Sequence, residues 1–163
     1  SIVLGLSGGI DSAVAACVAS EAIGPENVTG LAMPSRHSSQ HSIDDALHTA
    51  QALGMQHHLH PIDGMHTSVE ATLVDVLATG HPVGGENLQA RLRAIVVMGY
   101  ANANGSMAVT TGNKSEIAQG YCTLYGDMAG GYAPLGDVYK MDVYAMAERF
   151  NQRASEQGKT ETV

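Results

Sequence analysis

Ser7-Gly8-Gly9-Ile10-Asp11-Ser12 is the stretch whose residue types and spacing carry the most chemistry. Adjacent glycines let backbone N–H groups approach an oxyanion closely, and a following helix N-terminus adds a favourable dipole. The Ser7 and Ser12 hydroxyls can donate further hydrogen bonds. No Lys follows the glycines, so this is not a Walker loop, and the G-x-G-x-x-G spacing of a dinucleotide fingerprint is absent. Asp11 puts negative charge where a Walker loop has Lys. A carboxylate beside a phosphate is repulsive unless a cation lies between them, and Mg²⁺ takes carboxylate and phosphate oxygens together. The same residues also suit a plain N-cap with a tight turn. The flanking strand, Asp11 and the second serine favour phosphate binding.

Other residues are less telling alone. Asn87 and Arg91 are four apart and share a helix face, where the planar fork of Arg91 suits a phosphate. Arg93 points to the other side, and a solvated or ion-paired role is expected for it. Thr111 reads as a β-branched residue ending a strand, and Glu116 as a solvated residue of a short helix. Lys140 stands near a helix start, where a cation opposes the dipole. Cys122 has no evident activating base and is not expected to be a nucleophile. All eight histidines precede residue 82. His58 and His60 share one strand face, but without Cys or carboxylates at ligand spacing a polar surface is expected rather than zinc.

These residues need elements to hold them. Ile2–Leu6 reads as a buried strand. Ile10–Ile23 has helical spacing through Ile10, Val14, Cys17 and Val18, and Gly24-Pro25 ends it. Val28–Met33 reads as a second strand. Ser42 followed by Asp45 resembles a capping box opening a helix to Leu53, stopped by Gly54. Gln56–Ile62 is a third, polar strand. A helix near Ser68–Leu77 and a loop through His81, Pro82 and Gly84-Gly85 follow. Glu86–Asn102 is the strongest helix, with Leu88, Leu92, Ile95, Val96 and Gly99 on its stripe. Met107–Thr111 is a strand and Gly112–Gln119 a turn into a short helix. Gly120–Pro134 is glycine- and tyrosine-rich and looks like a binding loop. Asp142–Phe150 is a last helix, and residues 151–163 turn polar. This alternation predicts an α/β fold: a doubly wound parallel sheet with helices on both faces. Ligands then sit outside the carboxyl ends of the strands, at Leu6–Ser12, Met33–His37 and Thr110–Glu116.

Composition narrows the possibilities. The 163 residues suit one domain, and 44% are hydrophobic. Eight Lys+Arg against sixteen Asp+Glu give a formal net charge of −8, which argues against a nucleic-acid partner. Two cysteines make no disulfide framework, so a cytoplasmic location is expected. No run approaches a membrane span, so no membrane association is expected. No signal peptide is evident, and the chain starts at Ser1 directly on an apolar run.

With its flanks, Ser7–Ser12 resembles the SGGxDS pyrophosphate loop of the N-type ATP pyrophosphatases, a superfamily of adenylate-forming enzymes. Four further blocks resemble NAD synthetase: Met33-Pro34-Ser35-Arg36 with Ser39–Ser42, Glu86–Arg93 (ENLQARxR), Thr110–Glu116 (TTGNKSE) and Gly120–Asp127 (GYxTLYGD). Their wording is closest to the glutamine-dependent form. The resemblance implies a Rossmann-like fold of the adenine nucleotide alpha hydrolase type. It also implies ATP-dependent amidation of deamido-NAD through an adenylate, with AMP and pyrophosphate released and ammonia supplied free or from glutamine. Carried over, Gly5, Leu6, Ser7, Gly8, Gly9, Ile10, Asp11 and Ser12 would hold ATP, with Thr111 and Lys140. Asp11 and Glu116 would bind Mg²⁺, and Asp11 and Lys140 would be catalytic. Asn87, Arg91, Glu116, Tyr121, Cys122, Thr123 and Leu124 would meet deamido-NAD. A homodimer and an amidase domain upstream are further implications. Nothing after Asn151 matches the family's mobile loop. Residues 1–150 are therefore expected to form a synthetase domain cut short at its C-terminal side, with 151–163 a polar tail or the start of that loop. Two other readings stay open: another ATP pyrophosphatase, of the GMP synthetase or tRNA-modifying type, and a nucleotide-binding module without turnover.

Overall fold

Both faces of a sheet must be apolar when helices cover both, and Val3 and Leu4 are accordingly both fully buried. A computed structural model describes residues 1–163. The elements are β1 (Ile2–Gly5), α1 (Ile10–Ile23), β2 (Val28–Ala32), α2 (Gln40–Leu53), β3 (Gln56–Leu59), α3 (Asp63–Thr72), α4 (Val74–Thr79), α5 (Val83–Asn104), β4 (Met107–Val109), α6 (Lys114–Gln119) and α7 (Lys140–Glu156). All strand pairs are parallel, in the order β3-β2-β1-β4. The α/β doubly wound reading therefore holds.

One face is built from Leu4, Leu6, Val28 and Val109, packed on Ala16 and Ala19 of α1 and Ala46 and Ala50 of α2. The other carries Val3, Leu31 and Ala108 against Leu92, Val97 and Ala101 of α5. A third cluster joins α1 to α7 through Val14, Ala15, Val143 and Ala147. Alanines on the helices bring their backbones close to the sheet.

Several expected boundaries shift. The cap of α2 is Ser39, which accepts from the Ser42 N–H at 3.1 Å, so the helix starts earlier than the Ser42–Asp45 box indicates. Residues 63–79 form two short helices, α3 and α4, instead of one. Gly84-Gly85 lie inside the first turn of α5, where the preceding Pro82 presets the chain for helix entry. The buried side of α5 is Leu92, Ala94, Val97 and Ala101, while Ile95 is 61% exposed. Leu92 of the expected stripe does face the sheet, with Leu88 and Val96 packed partly against it, but the buried side is rotated toward Ala94, Val97 and Ala101 and leaves Ile95 outside. Helix α7 continues to Glu156, so residues 151–156 are helical. They are polar because they are solvated and tied outward, as in the Arg153–Glu21 pair at 2.7 Å. Asn151 also accepts from the backbone of Thr162 and Val163, folding the last residues back onto α7. Strand β3 is exposed along its whole length, as its polar residues predict.

Gly30 lies opposite Leu4 in the β1–β2 register. A Cβ there would stand 2.3 Å from Leu6 Cδ1. Gly30→Ala is expected to lower stability by about 1–3 kcal/mol through overpacking, read as a shift of the urea midpoint at constant m-value.

Candidate functional site

The strand order changes direction at β1, with β2 on one side and β4 on the other. The segments leaving β1 and β4 therefore come to the same carboxyl edge, at the switch point of the strand order, where a ligand crevice is expected. Ser7–Ser12 and Thr110–Glu116 sit at that crevice. After β1 the Leu6 N–H still donates to Leu31 O at 2.9 Å, and then the chain departs from the sheet. Ser12 Oγ accepts from the Ser7 N–H at 3.2 Å and donates to Gly9 O at 2.8 Å. Ser7 Oγ accepts from the Gly9 N–H at 3.2 Å. The loop is thus closed by its own serines. Gly8 has φ +78°, and a Cβ would stand 2.2 Å from Ser42 O, so only glycine allows this approach to α2. Gly9 precedes α1 without a side-chain cap. First-turn N–H groups lacking such a cap are suited to an anion.

Asp11, on the first turn of α1, gathers residues from two distant segments. Its Oδ1 accepts from Asn113 Nδ2 at 2.9 Å, and its Oδ2 pairs with Lys140 Nζ, at the first turn of α7. Asn113 is fully buried and caps α6 through a complete capping box. Its Oδ1 accepts from the Glu116 N–H at 3.1 Å, and its N–H donates to Glu116 Oε2 at 3.0 Å. Asp11 and Glu116 therefore flank one asparagine. Lys114 faces away to pair with Asp137 and lies over the Tyr139 ring. That contact raises the Lys114 pKa and lowers that of Asp137.

Two cavities adjoin this centre. The first, about 380 Å³, is lined by Gly5, Leu6 and Ser7, by Met33 and Pro34, by Ala90, Arg93, Ala94 and Val97 of α5, and by Thr111. The second, about 240 Å³, is lined by Glu116, Tyr121 and Cys122 among others. Thr110 and Asp127 line both, so the cavities are neighbours with a shared wall. Gly8, Gly9 and Ile10 line neither and face a third cavity between α1, α2 and α7.

Arg93 corrects the expectation made for it. It makes no ion pair, donates from Nε to Met33 O at 3.0 Å and lines the first cavity, where burial lowers its pKa. The signal was present in the spacing Ala90-Arg93-Ala94-Val97, one face of α5, but the larger Leu and Ile residues obscured it. The cavity wall from Met33 to Ser38 is tied at two further points. Ser35 Oγ donates to Gln89 Oε1 at 2.9 Å, and Arg36 reaches Asp63, Thr67 and Glu70. The Arg36 backbone and side chain hold the Asp63 carboxyl below its ordinary pKa.

The segment 121–127 leans on α5. Asn87 Oδ1 accepts from Thr123 Oγ1 at 2.8 Å, and Arg91 Nε donates to Leu124 O at 3.2 Å. Asp127 Oδ1 accepts from the Thr123 N–H at 2.6 Å. Asn87, Arg91, Thr123 and Leu124 are thus brought together, although the side chains of Leu124 and Tyr121 are exposed. Thr110 falls within the expected ligand edge at Thr110–Glu116, whereas Asp127 has no expected role although it lies inside the Gly120–Asp127 block. No three His, Cys, Asp or Glu side chains gather as a ready-made metal cage. No helix is long and apolar enough to cross a membrane.

The family model of NAD synthase matches residues 1–157. The glutamine-dependent NAD(+) synthetase of Rhodobacter capsulatus is 52% identical over 144 residues, covering 88% of this chain and 26% of that protein. This chain thus spans about a quarter of the length of that curated relative. Among solved structures, the glutamine-dependent NAD+ synthetase from Acinetobacter baumannii in complex with ADP aligns with TM-score 0.94 at 41% identity, over 100% of this chain and 30% of that one. The NH3-dependent NAD synthetase from Campylobacter jejuni aligns with TM-score 0.82 at 34% identity, over 95% of this chain and 66% of that one.

The two thiols differ in their surroundings. Cys17 is buried in α1 and its pKa is pushed up to about 12, first by burial and then by Glu21, whereas Cys122 is partly exposed. Thiolate is the reactive form. A disulfide reagent at pH 8 is therefore expected to modify one thiol per chain in the folded protein and both after unfolding in guanidinium. Peptide mapping should place the first adduct on Cys122.

Proposed function

The chain belongs to the NAD synthase family, and from that premise we propose that this protein carries out ATP-dependent amidation of deamido-NAD to NAD. Two neighbouring cavities, the first of them lined by Gly5, Leu6 and Ser7 at the start of the anion-ready loop, support this reading most. Adenylation needs a carboxylate brought to the α-phosphorus of ATP, so two ligand sites must meet at one point.

In the first step a nicotinate carboxylate oxygen attacks the α-phosphorus. The bond from that phosphorus to the bridging oxygen breaks, and pyrophosphate leaves. In the second, the ammonia lone pair adds to the acyl carbon, the carbon–oxygen bond to AMP breaks, and a proton is released. The uncapped first turn of α1 and the closed Ser7–Ser12 loop hold the leaving pyrophosphate. Lys140 neutralises developing phosphate charge from its place beside Asp11. Thr111 meets ATP through its hydroxyl in the first cavity. Tyr121 and Cys122 line the nicotinate end in the second, held by the ties from Asn87 and Arg91 to Thr123 and Leu124.

Asp11 and Glu116, which flank Asn113, are the carboxylates that would hold a Mg²⁺ ion. Two carboxylates would leave positions for phosphate oxygens and water, as octahedral Mg²⁺ prefers. When bound, the ion would offset charge on the phosphates during pyrophosphate departure. ADP in the Acinetobacter relative supports a nucleotide here. The names of the curated relatives, and the quarter of their length that this chain spans, support ammonia drawn from glutamine by a separate amidase domain. A homodimer is supported by Ile95 and Met98, large apolar side chains exposed on α5. A cytoplasmic location completes the reading.

The test is direct. Full-length protein incubated with ATP, Mg²⁺, deamido-NAD and ammonia is expected to form NAD and pyrophosphate in equal amounts. No deamido-NAD-dependent pyrophosphate would overturn the reading. Asp11→Asn is expected to slow adenylation on the order of 10²-fold or more. A near-parental rate would remove Asp11 from the mechanism. For the dimer, a monomer mass in light scattering would count against it.

A further inference from the structure

We propose that Asn113 is a positioning residue that holds Asp11 and Glu116 as one unit for a divalent metal–nucleotide complex. The inference rests on reading Asp11 as a metal ligand. Asn113 has no exposed surface, and its amide is used at both ends. The Glu116 N–H can only donate, so the amide oxygen must face it. The NH₂ end is then left for Asp11. The backbone N–H of the same residue holds Glu116 Oε2. One side chain thus begins α6, orients Asp11 from α1, and shares its capping box with the second carboxylate.

Capping alone does not account for an asparagine. Ser and Asp cap helices comparably well. Ser is too short to reach Asp11 while it caps, and Asp would bring a second carboxylate against it. Only Asn both caps and donates. A neutral donor also fixes the carboxylate without cancelling its charge, so the charge stays available to a cation. The other Asp11 oxygen is paired with Lys140. Asn113 therefore supplies the part of the arrangement that can persist when Lys140 turns to a phosphate.

The test separates capping from positioning in the full-length protein. Mn²⁺ affinity is measured by electron paramagnetic resonance with and without saturating ADP, and thermal midpoints are recorded alongside. Asn113→Ser is expected to keep a midpoint near that of the parent while weakening Mn²⁺ binding in the presence of ADP by about 10- to 100-fold. Metal-free ADP affinity should not change. Asn113→Asp, which also caps, serves if the Ser variant misfolds. Its carboxylate against Asp11 is expected to create Mn²⁺ binding without ADP. Parental Mn²⁺ affinity in a folded variant of either kind overturns the proposal. Asp11→Asn is measured in parallel. If it leaves Mn²⁺ binding unchanged, the metal-ligand reading fails; if it weakens binding while Asn113→Ser does not, only the role of Asn113 fails.

Discussion

Parallel strands can be joined only by crossovers, and right-handed crossovers pack their helices on a face fixed by the direction of travel. From β1 to β3 the chain moves one way along the sheet, and from β3 it must return past β1 to place β4. That return is made by α3, α4 and α5, and it puts α5 on the face opposite α1 and α2. The crevice at β1 is a consequence of this geometry. So is the meeting of segments about a hundred residues apart, Asp11 after β1 and Asn113 after β4.

Charge follows the same plan. The chain carries a net −8, yet the crevice is organised around local positive character. An uncapped helix start, Lys140 on Asp11 and Arg93 in the cavity wall supply it. Arg93 is the informative case. A half-buried guanidinium that satisfies one N–H on a carbonyl and meets no carboxylate retains attraction for an anionic or electron-rich ligand. Net charge says little about a site of this size, because a few oriented dipoles and one or two cations dominate at short range.

The strands and the doubly wound parallel sheet were legible because hydrophobic runs, glycine stops and strand–helix alternation are local signals. Ser7–Ser12 and Thr110–Glu116 were legible as blocks of unusual residues next to those signals. The Asn113 role was not, because its partners are fixed by tertiary contact, and the residue types alone describe an ordinary cap. Arg93 was misplaced for a related reason: α5 buries Ala94, Val97 and Ala101 beside Leu92 and leaves Ile95 outside, a rotation that tertiary packing sets. The extension of α7 to Glu156 was hidden because a solvated helix end looks like a tail when only hydrophobic periodicity is counted.

The borders of the sheet carry a consequence for behaviour in crowded solution. An open strand edge is a template for a foreign strand and a common start of aggregation. Here one border is β3, four residues long and made of Gln, His, His and Leu. The other, β4, is covered by the chain around Gly131 and Tyr132, which takes Ala108 O and the Thr110 N–H. A short, hydrophilic border and an occupied one leave little scope for edge-to-edge stacking. Copies of this domain can therefore be concentrated without their sheets joining, and contacts between them fall to helices and loops.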